Sequence, residues 1–285
     1  MTPSPLYPPA AWRLLHTEPL AGSANMAVDE AILLAVAAGQ APPTLRFFAW
    51  TPPCLSLGYA QPLAEVDLGR LAERGWGLVR RPTGGRAILH TDELTYSIIA
   101  PMAEPRVVGG VVESYRQLSA GLLRGLEALG LAARAERKAD EAPGAGPRPA
   151  PAALPVCFEV PSDYEITADG KKLLGSAQVR KKGVVLQHGT LPLTGDITRI
   201  CDALRFATDA EREAVRARVR GRAATLEAVL GQAVGWEAAA GALQAGFAQA
   251  LNLTLAAGAL SEFEQNEAEQ LTREKYAADN WNARA

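Results

Sequence analysis

The chain has 285 residues, with 29 lysines and arginines against 31 aspartates and glutamates, a formal charge of −2. That balance excludes a nucleic-acid binder working through bulk positive charge, and a length of 285 with 48% hydrophobic residues supplies one large core, at most with a small appendage. The three cysteines, Cys54, Cys157 and Cys201, form no Cys-x-x-Cys pair and leave one thiol over, which excludes a zinc knuckle and a disulfide framework; a reducing, cytoplasmic setting is expected.

Met1 to Ala11 carry four prolines and no lysine or arginine, so no secretory signal is expected. A first helix is predicted over Asn25 to Ala38, with Asn25 as its cap, Asp29 and Glu30 near its positive end, and Gly39 as its stop. Thr44 to Trp50 and Cys54 to Tyr59 read as strands around Thr51-Pro52-Pro53. A short helix at Asp67 to Arg74 leads into strands at Leu78 to Arg81, Ala87 to His90 and Leu94 to Ile99, with a Pro-Thr-Gly-Gly turn at 82 to 85.

Tyr115, Leu118, Leu122, Leu126 and Leu129 step by three and four, which predicts a helix over Val112 to Leu129 ended by Gly130. Lys138 to Pro155 holds five prolines and two glycines and reads as a mobile loop, a kind of segment that often acts as a lid. Asp169-Gly170 then marks a hairpin between Ser162 to Ala168 and Lys171 to Arg180, pairing Lys172 with Thr167. A strand follows at Val184 to Pro192, and helices beyond Asp196 begin with Ile197, Ile200, Cys201 and Leu204 on one face. Ala238 to Leu260 reads as an amphipathic helix rather than a membrane span, since polar residues interrupt it and Leu243, Phe247, Leu251 and Leu255 recur every four positions.

Three segments carry residues suited to chemistry. In Arg80-Arg81-Pro82-Thr83-Gly84-Gly85-Arg86, the paired glycines let backbone amides approach an acyl or phosphate group, with three arginines around them. Spacing alone fits a tight hairpin turn with solvated arginines as well, and His90 fits a structural histidine. Cys157 sits where the proline-rich loop meets a strand and could face a pocket, or be an ordinary packed thiol, whereas Cys54 and Cys201 fall on apolar faces and read as buried and inert. In Gly170-Lys171-Lys172-Leu173-Leu174-Gly175-Ser176-Ala177-Gln178, period-two alternation turns one of the two lysines inward, where an ammonium near a thiol would favour the attacking thiolate; both lysines at a sheet edge is the alternative. Arg180-Lys181-Lys182 reads as a solvated turn, with docking of an acidic partner as the other reading.

In this order, these segments resemble the lipoate and octanoate protein ligase and transferase superfamily, whose catalytic domain is related to biotin protein ligase. The resemblance includes Asn25-Met26-Ala27-Val28-Asp29-Glu30-Ala31, the Arg-Arg-x-x-Gly-Gly segment, the Gly-Lys-Lys-x-x-Gly-Ser-Ala-Gln hairpin, Leu186-Gln187-His188-Gly189, and a tail with Lys275-Tyr276 and Trp281-Asn282. ATP-dependent lipoate ligases typically show Gly-Gly-Gly-Ala-Val-Tyr-His-Asp. Here Arg86 replaces the third glycine, Leu89 the tyrosine and Thr91 the aspartate, and the segment with Glu93-Leu94-Thr95-Tyr96-Ser97 is closer to octanoyltransferases of the LipM type.

The resemblance implies an α/β (α+β) fold of the biotin/lipoate protein ligase type: a mixed, largely antiparallel sheet flanked by helices, with a helical C-terminal portion. It implies a catalytic domain over 40–250, a helical extension over 251–285, and a monomer. It implies that octanoate moves from acyl carrier protein, through a thioester on Cys157, to a lysine of the glycine cleavage H protein or another lipoyl domain. Lys172 would lower the thiol pKa. Arg80, Arg81, Thr83, Gly84, Gly85, Arg86 and His90 would bind substrate, as would Gly175, Ser176, Ala177, Gln178, His188 and Gly189. Neither ATP nor a metal is expected as cofactor, the donor carrying its own phosphopantetheine arm, and no nucleic acid or membrane as partner. An ATP-dependent lipoate ligase, an octanoyl-H-protein amidotransferase and a non-catalytic acyl-carrier binder stand as alternatives.

Overall fold

The computed structural model describes residues 7–137 and 164–284, so Cys157, the 138–155 loop and the start of the strand expected from Ser162 lie outside the described residues. In chain order the elements are β1 (Ala10–His16), α1 (Gly22–Ala37), β2 (Thr44–Phe48), β3 (Cys54–Leu57), α2 (Leu68–Glu73), β4 (Gly77–Arg80), β5 (Ile88–His90) and β6 (Glu93–Pro101). Then come α3 (Val111–Ala128), β7 (Arg134–Arg137), β8 (Tyr164–Ala168), β9 (Lys171–Lys181) and β10 (Val184–Pro192). The remainder is α4 (Asp209–Arg222), α5 (Leu226–Leu230), α6 (Trp236–Leu251), β11 (Leu253–Ala257), α7 (Glu262–Leu271) and α8 (Asp279–Asn282).

The main sheet has the order β11-β1-β2-β6-β10-β9-β8-β7, and a second sheet has the order β4-β3-β5. The β11, β1 and β2 strands run parallel, and from β2 to β7 every neighbour is antiparallel, the mixed and largely antiparallel sheet expected. Both faces of β6 are buried, and its alternation divides two tasks. Leu94, Tyr96, Ile98 and Ala100 join the core beneath α3 and α6, with Leu118, Leu122 and Phe247, while Thr95 and Ser97 turn the other way, to Trp50 and Asp29.

The 169–170 hairpin forms as expected: Asp169 and Gly170 both take positive φ (51° and 71°), the pattern of a tight primed turn, and Thr167 faces Lys172. Other expectations are corrected. Asn25 does not cap the first helix, which begins at Gly22 after an uncapped Ala21. The Asn25 amide is inside, donating to the Leu20 and Ala49 carbonyls and accepting from Arg46, so it ties α1 to the sheet instead of satisfying its own helix end. Asp29 and Glu30 accordingly lie within α1, each with a cationic partner.

The strands before and after Thr51-Pro52-Pro53 do not pair with each other; β2 belongs to the main sheet and β3 to the small one. The 81–87 segment is not a hairpin turn either, because β4 and β5 flank β3 on opposite sides and the loop crosses the end of β3. The helix expected over 238–260 ends at Leu251, where Asn252 turns left-handed (φ 51°), and Leu255 lies in β11, drawn there by parallel pairing with Trp12. Nor is Arg180 a solvated turn residue: its guanidinium donates to the carbonyls of Val107, Gly109 and Gly110 before α3.

The boundary expected after residue 250 falls at the last residue of α6, just before β11. The segment that follows completes the edge of the main sheet and lays α7 along α1, with Ala268 and Tyr276 in the α1 core. Residues before 40 likewise supply β1 and α1 to the same sheet and core. Among the described residues no helix is long and apolar enough to cross a membrane.

Candidate active site

Between α1, the small sheet and strands β9 and β10 lies a cavity of about 180 Å³. Its apolar wall comes from Met26, Trp50 and Ile88, and much of the rest is backbone, from Gly85, Gly175, Ala177 and Gly189. Glycine at 189 is a steric necessity: a Cβ there would meet Ser176 Oγ at 2.5 Å, Tyr96 Cε1 at 2.6 Å and the Gly175 carbonyl at 2.8 Å. A slot with apolar and backbone walls and few polar groups suits an aliphatic chain.

Two polar networks fix these walls. In the first, the Trp50 indole stacks on His90 with ring centres 3.8 Å apart and planes 9° from parallel. Trp50 Nε1 donates to Thr95 Oγ1 (2.8 Å), which donates to Glu93 Oε1 (2.6 Å). The same carboxylate oxygen lies 2.6 Å from His90 Nδ1, and His90 Nε2 lies 2.8 Å from Ser56 Oγ. A carboxylate only accepts, so Nδ1 carries the proton to Glu93, and Nε2 shares its hydrogen bond with Ser56 Oγ. Arg81 completes the chain by donating to Ser56 Oγ.

In the second network, His188 Nε2 lies 2.7 Å from Thr83 Oγ1 and His188 Nδ1 lies 3.5 Å from Asp29 Oδ2. Asp29 Oδ1 accepts from Arg46 and from Ser97, both at 2.8 Å. Burial alone would raise the Asp29 pKa, but Arg46 and His188 overcome it and hold the carboxyl below its ordinary value. Burial lowers the His188 pKa, with Asp29 countering it only in part, so the imidazole is neutral. With its proton on the Asp29 side, His188 accepts the Thr83 hydroxyl and anchors the loop that carries Gly84 and Gly85.

The arginines serve that same loop. Arg81 donates to the carbonyls of Ser56, Gly84 and Arg86, and lines the cavity. Arg80 does not line it: its buried guanidinium binds the carbonyls of Gly58, Tyr59, Gln61 and Asn282. Arg86 lines the cavity and pairs with Glu65 at 3.3 Å. The exposed Gly84 and Gly85 sit between these holds, and φ of +91° at Gly85 is a conformation that favours glycine.

Lys172 is the inward lysine, 4% exposed, and its Nζ donates to Glu165 Oε1 at 2.8 Å. Its stem and head pass Gly175, where a Cβ would sit 3.0 Å from Cε and 3.4 Å from Nζ, so the ammonium stands at the Gly175 end of the cavity. Lys171 turns outward and donates to the Arg220 carbonyl. Ser176 lines the cavity with Oγ 2.7 Å from the Tyr96 hydroxyl. Gln178 lies beyond it, bonded to Ser114 and Gln187. Cys54 and Cys201 are buried as expected, and burial pushes the Cys54 thiol up to about 12.

The structure therefore brings together Arg81, Gly85, Arg86, His90, Gly175, Ser176, Ala177, His188 and Gly189 at one cavity, with Thr83 and Lys172 beside it. Trp50, Ser56, Glu93, Thr95 and Asp29 were not singled out as site residues in the sequence. The period-two spacing of Glu93, Thr95 and Ser97, three polar side chains on one face of an otherwise apolar strand, was the available signal. Among the described residues no group of histidines, cysteines and carboxylates could hold a metal ion.

Comparison with known proteins agrees with this geometry. Residues 21–248 match the model of the lipoyl protein ligase A/B catalytic domain. A protein of Kyrpidia tusciae named octanoyltransferase LipM is 46% identical, the match covering 96% of this chain and 98% of that one. A second of the same name, from Symbiobacterium thermophilum, is 45% identical with the same two coverages. Among solved structures, a lipoate-protein ligase A bound with ATP superposes with a TM-score of 0.76 at 25% identity over 96% of this chain and 99% of that one. The bi-partite lipoate protein ligase of Thermoplasma acidophilum shares the fold with a TM-score of 0.79 at 24% identity, covering 96% of each chain. The chain belongs to the lipoyl protein ligase A/B catalytic family and, within it, to the octanoyltransferases of the LipM type.

Proposed function

We propose that the protein moves an octanoyl group from the phosphopantetheine thioester of acyl carrier protein to a lysine of a lipoyl domain, the glycine cleavage H protein being the expected acceptor, in the bacterial cytoplasm. The relatives' name supports octanoate as the group transferred. The observation that carries the chemistry is the Lys172 ammonium beside Gly175, at one end of a slot walled by Met26, Trp50, Ile88 and glycine backbone, with Arg81, His90 and His188 also on its lining.

In this mechanism the Cys157 thiolate attacks the thioester carbonyl of the donor. The bond from acyl carbon to donor sulfur breaks, the donor sulfur takes a proton, and octanoate stays on Cys157 as a new thioester. The acceptor lysine, as free amine, then attacks that carbonyl; an amide forms, the Cys157 sulfur leaves, and the amine proton is given up. Two steps on one nucleophile let two bulky carriers use one site in turn. Lys172 favours the thiolate by its charge. Backbone amides of the Gly84-Gly85 loop, held by Arg81 and by the Thr83 to His188 bond, would stabilise the oxyanion, a role in which one donor is worth about 3 kcal/mol. A thioester already carries the activation that a free acid gains from ATP, so the reaction needs no ATP and no metal.

Purified protein, octanoyl acyl carrier protein and apo lipoyl domain are incubated without ATP, and the lipoyl domain is weighed by mass spectrometry. The octanoyl increment on its lysine is the expected result. No increment without ATP, but modification by free octanoate or lipoate with ATP, would replace this reading by the ligase one.

A further inference from the structure

Arg80 leads into the loop that carries Gly84 and Gly85, and its backbone stands on an open edge of the small sheet. The Arg81 amide donates to the Leu57 carbonyl at 3.0 Å, so the alternate residue of β4, Arg80, turns its own N–H and C=O away from β3. Among the described residues no strand pairs with β4 on that side. Side chains close it instead: Asn282 Oδ1 accepts from the Arg80 amide at 2.7 Å, and Trp281 Nε1 donates to the Arg80 carbonyl at 2.8 Å. The Asn282 side-chain nitrogen in turn donates to the Tyr276 carbonyl at 2.9 Å, which fixes the way its oxygen points.

The Arg80 side chain extends this hold to the site. Its guanidinium is fully buried and its partners are all carbonyls, those of Gly58, Tyr59, Gln61 and Asn282. A buried cation bound only by neutral groups loses heavily when one of them is withdrawn. Gly58, Tyr59 and Gln61 form the turn after β3, and that turn carries the loop. The Tyr59 amide donates to the Thr83 carbonyl at 2.9 Å, and Gly58 lies so close to the Gly85 carbonyl that no Cβ would fit between them. The segment bearing Trp281 and Asn282 is itself fastened to α1, where the buried Glu30 carboxylate accepts from the Tyr276 hydroxyl at 2.6 Å and pairs with Lys275 at 2.5 Å.

We infer that Trp281 and Asn282 are positioning residues for acyl transfer: they set Arg80, and through it the 58–61 turn against which Thr83 and Gly85 rest. Neither side chain lines the acyl cavity, so both act on its geometry without touching the substrate. This rests on the transfer reaction proposed above, in which amides of that loop hold the oxyanion. A shift of about 1 Å in such a donor slows the reaction and leaves donor binding largely intact, because the oxyanion exists only in the transition state and the intermediate it leads to.

The test compares the full-length wild type with three variants. Trp281→Phe keeps a ring beside Tyr59 and Tyr276 and loses the indole donor, Asn282→Ala loses the acceptor, and Ser261→Ala is a control that removes the cap of α7 without touching Arg80. Hydrogen exchange over 78–90, read by mass spectrometry, quickens in Trp281→Phe and Asn282→Ala and stays that of the wild type in the control. Single-turnover acylation by octanoyl acyl carrier protein has a rate constant that does not depend on the fraction of folded protein. At saturating donor it slows by about tenfold in Trp281→Phe and Asn282→Ala, with half-saturation within about twofold of the wild type, and is unchanged in Ser261→Ala. Unchanged exchange over 78–90, an unchanged rate constant, a loss confined to donor affinity, or an equal loss in the control overturns the inference. If the wild type takes no octanoyl group from the carrier, the transferase reading fails, and the hold of Trp281 and Asn282 on the loop is upheld or overturned by the exchange comparison alone.

Discussion

The Lys172 ammonium donates at 2.8 Å to the Glu165 carboxylate across one hairpin, on side chains with only 3% and 16% of their surface exposed. The Asp169-Gly170 turn sets Thr167 opposite Lys172, and a register irregularity between Ile166 and Thr167 lets Glu165 reach the lysine. A buried ammonium needs such an anion, and the pair fixes where its charge stands.

If that charge supports the thiolate, Lys172→Ala slows acylation by octanoyl acyl carrier protein roughly a hundredfold or more, while Lys172→Arg, which keeps the charge and changes its shape, loses less. Stopped-flow release of the free carrier measures both. Equal rates in Lys172→Ala and wild type would remove the lysine from the chemistry.

The loop over the cavity is tested at a residue outside it. A Cβ on Gly58 would overlap the Gly85 carbonyl oxygen, so Gly58→Ala must push the Gly84-Gly85 backbone away. Acylation then falls by about tenfold or more, the scale of losing part of an oxyanion site, while far-UV circular dichroism stays that of the wild type. Full activity in this variant would show that the loop's position is not critical.

The His188 network gives a pH dependence with a defined sign. Folding lowers the His188 pKa through burial, so the neutral imidazole's stability is complete above the unfolded value of about 6.5 and is lost as pH falls below it toward the folded value. Asp29, also depressed, contributes above its unfolded value of about 3.9 and loses that contribution only in stronger acid. Between about pH 7.5 and 5.5 the urea midpoint of the wild type therefore drops more than that of His188→Gln. Parallel slopes would contradict the assignment. Asp29→Asn leaves the buried Arg46 without its anion and costs about 3–5 kcal/mol at neutral pH.

Much of this was readable locally. Asp-Gly marked the hairpin and its register, and the three- and four-residue steps from Tyr115 to Leu129 marked α3, because both depend on neighbours in sequence. What escaped depends on distant partners. Asn25 looks like a cap until Arg46 and the Ala49 carbonyl are placed beside it. Arg80 looks like a ligand for substrate until four carbonyls surround it. Leu255 continues a helical spacing, yet the open edge of β1 takes it into a strand. At the site, the glycines and both histidines were legible as types, but the stack of His90 on Trp50 and the bond from His188 to Thr83 join residues 40 and 105 positions apart.

Two of the three cysteines are enclosed by the fold. Cys54 and Cys201 are buried, and burial pushes the Cys54 thiol up to about 12, so both are shielded from a thiol reagent in the native protein. Iodoacetamide therefore labels Cys157 first, and all 3 cysteines only after denaturation. Native labelling that persists in Cys157→Ser would contradict this division.

The most direct test of the proposed transfer is an intact-mass measurement without ATP, in which the protein is mixed with octanoyl acyl carrier protein and weighed before and after hydroxylamine. An octanoyl adduct on the wild type, removed by hydroxylamine, absent from Cys157→Ser and discharged onto apo lipoyl domain, is the predicted result. Octanoyl transfer at the wild-type rate by Cys157→Ser would contradict it, since the acyl group would then travel without the thioester.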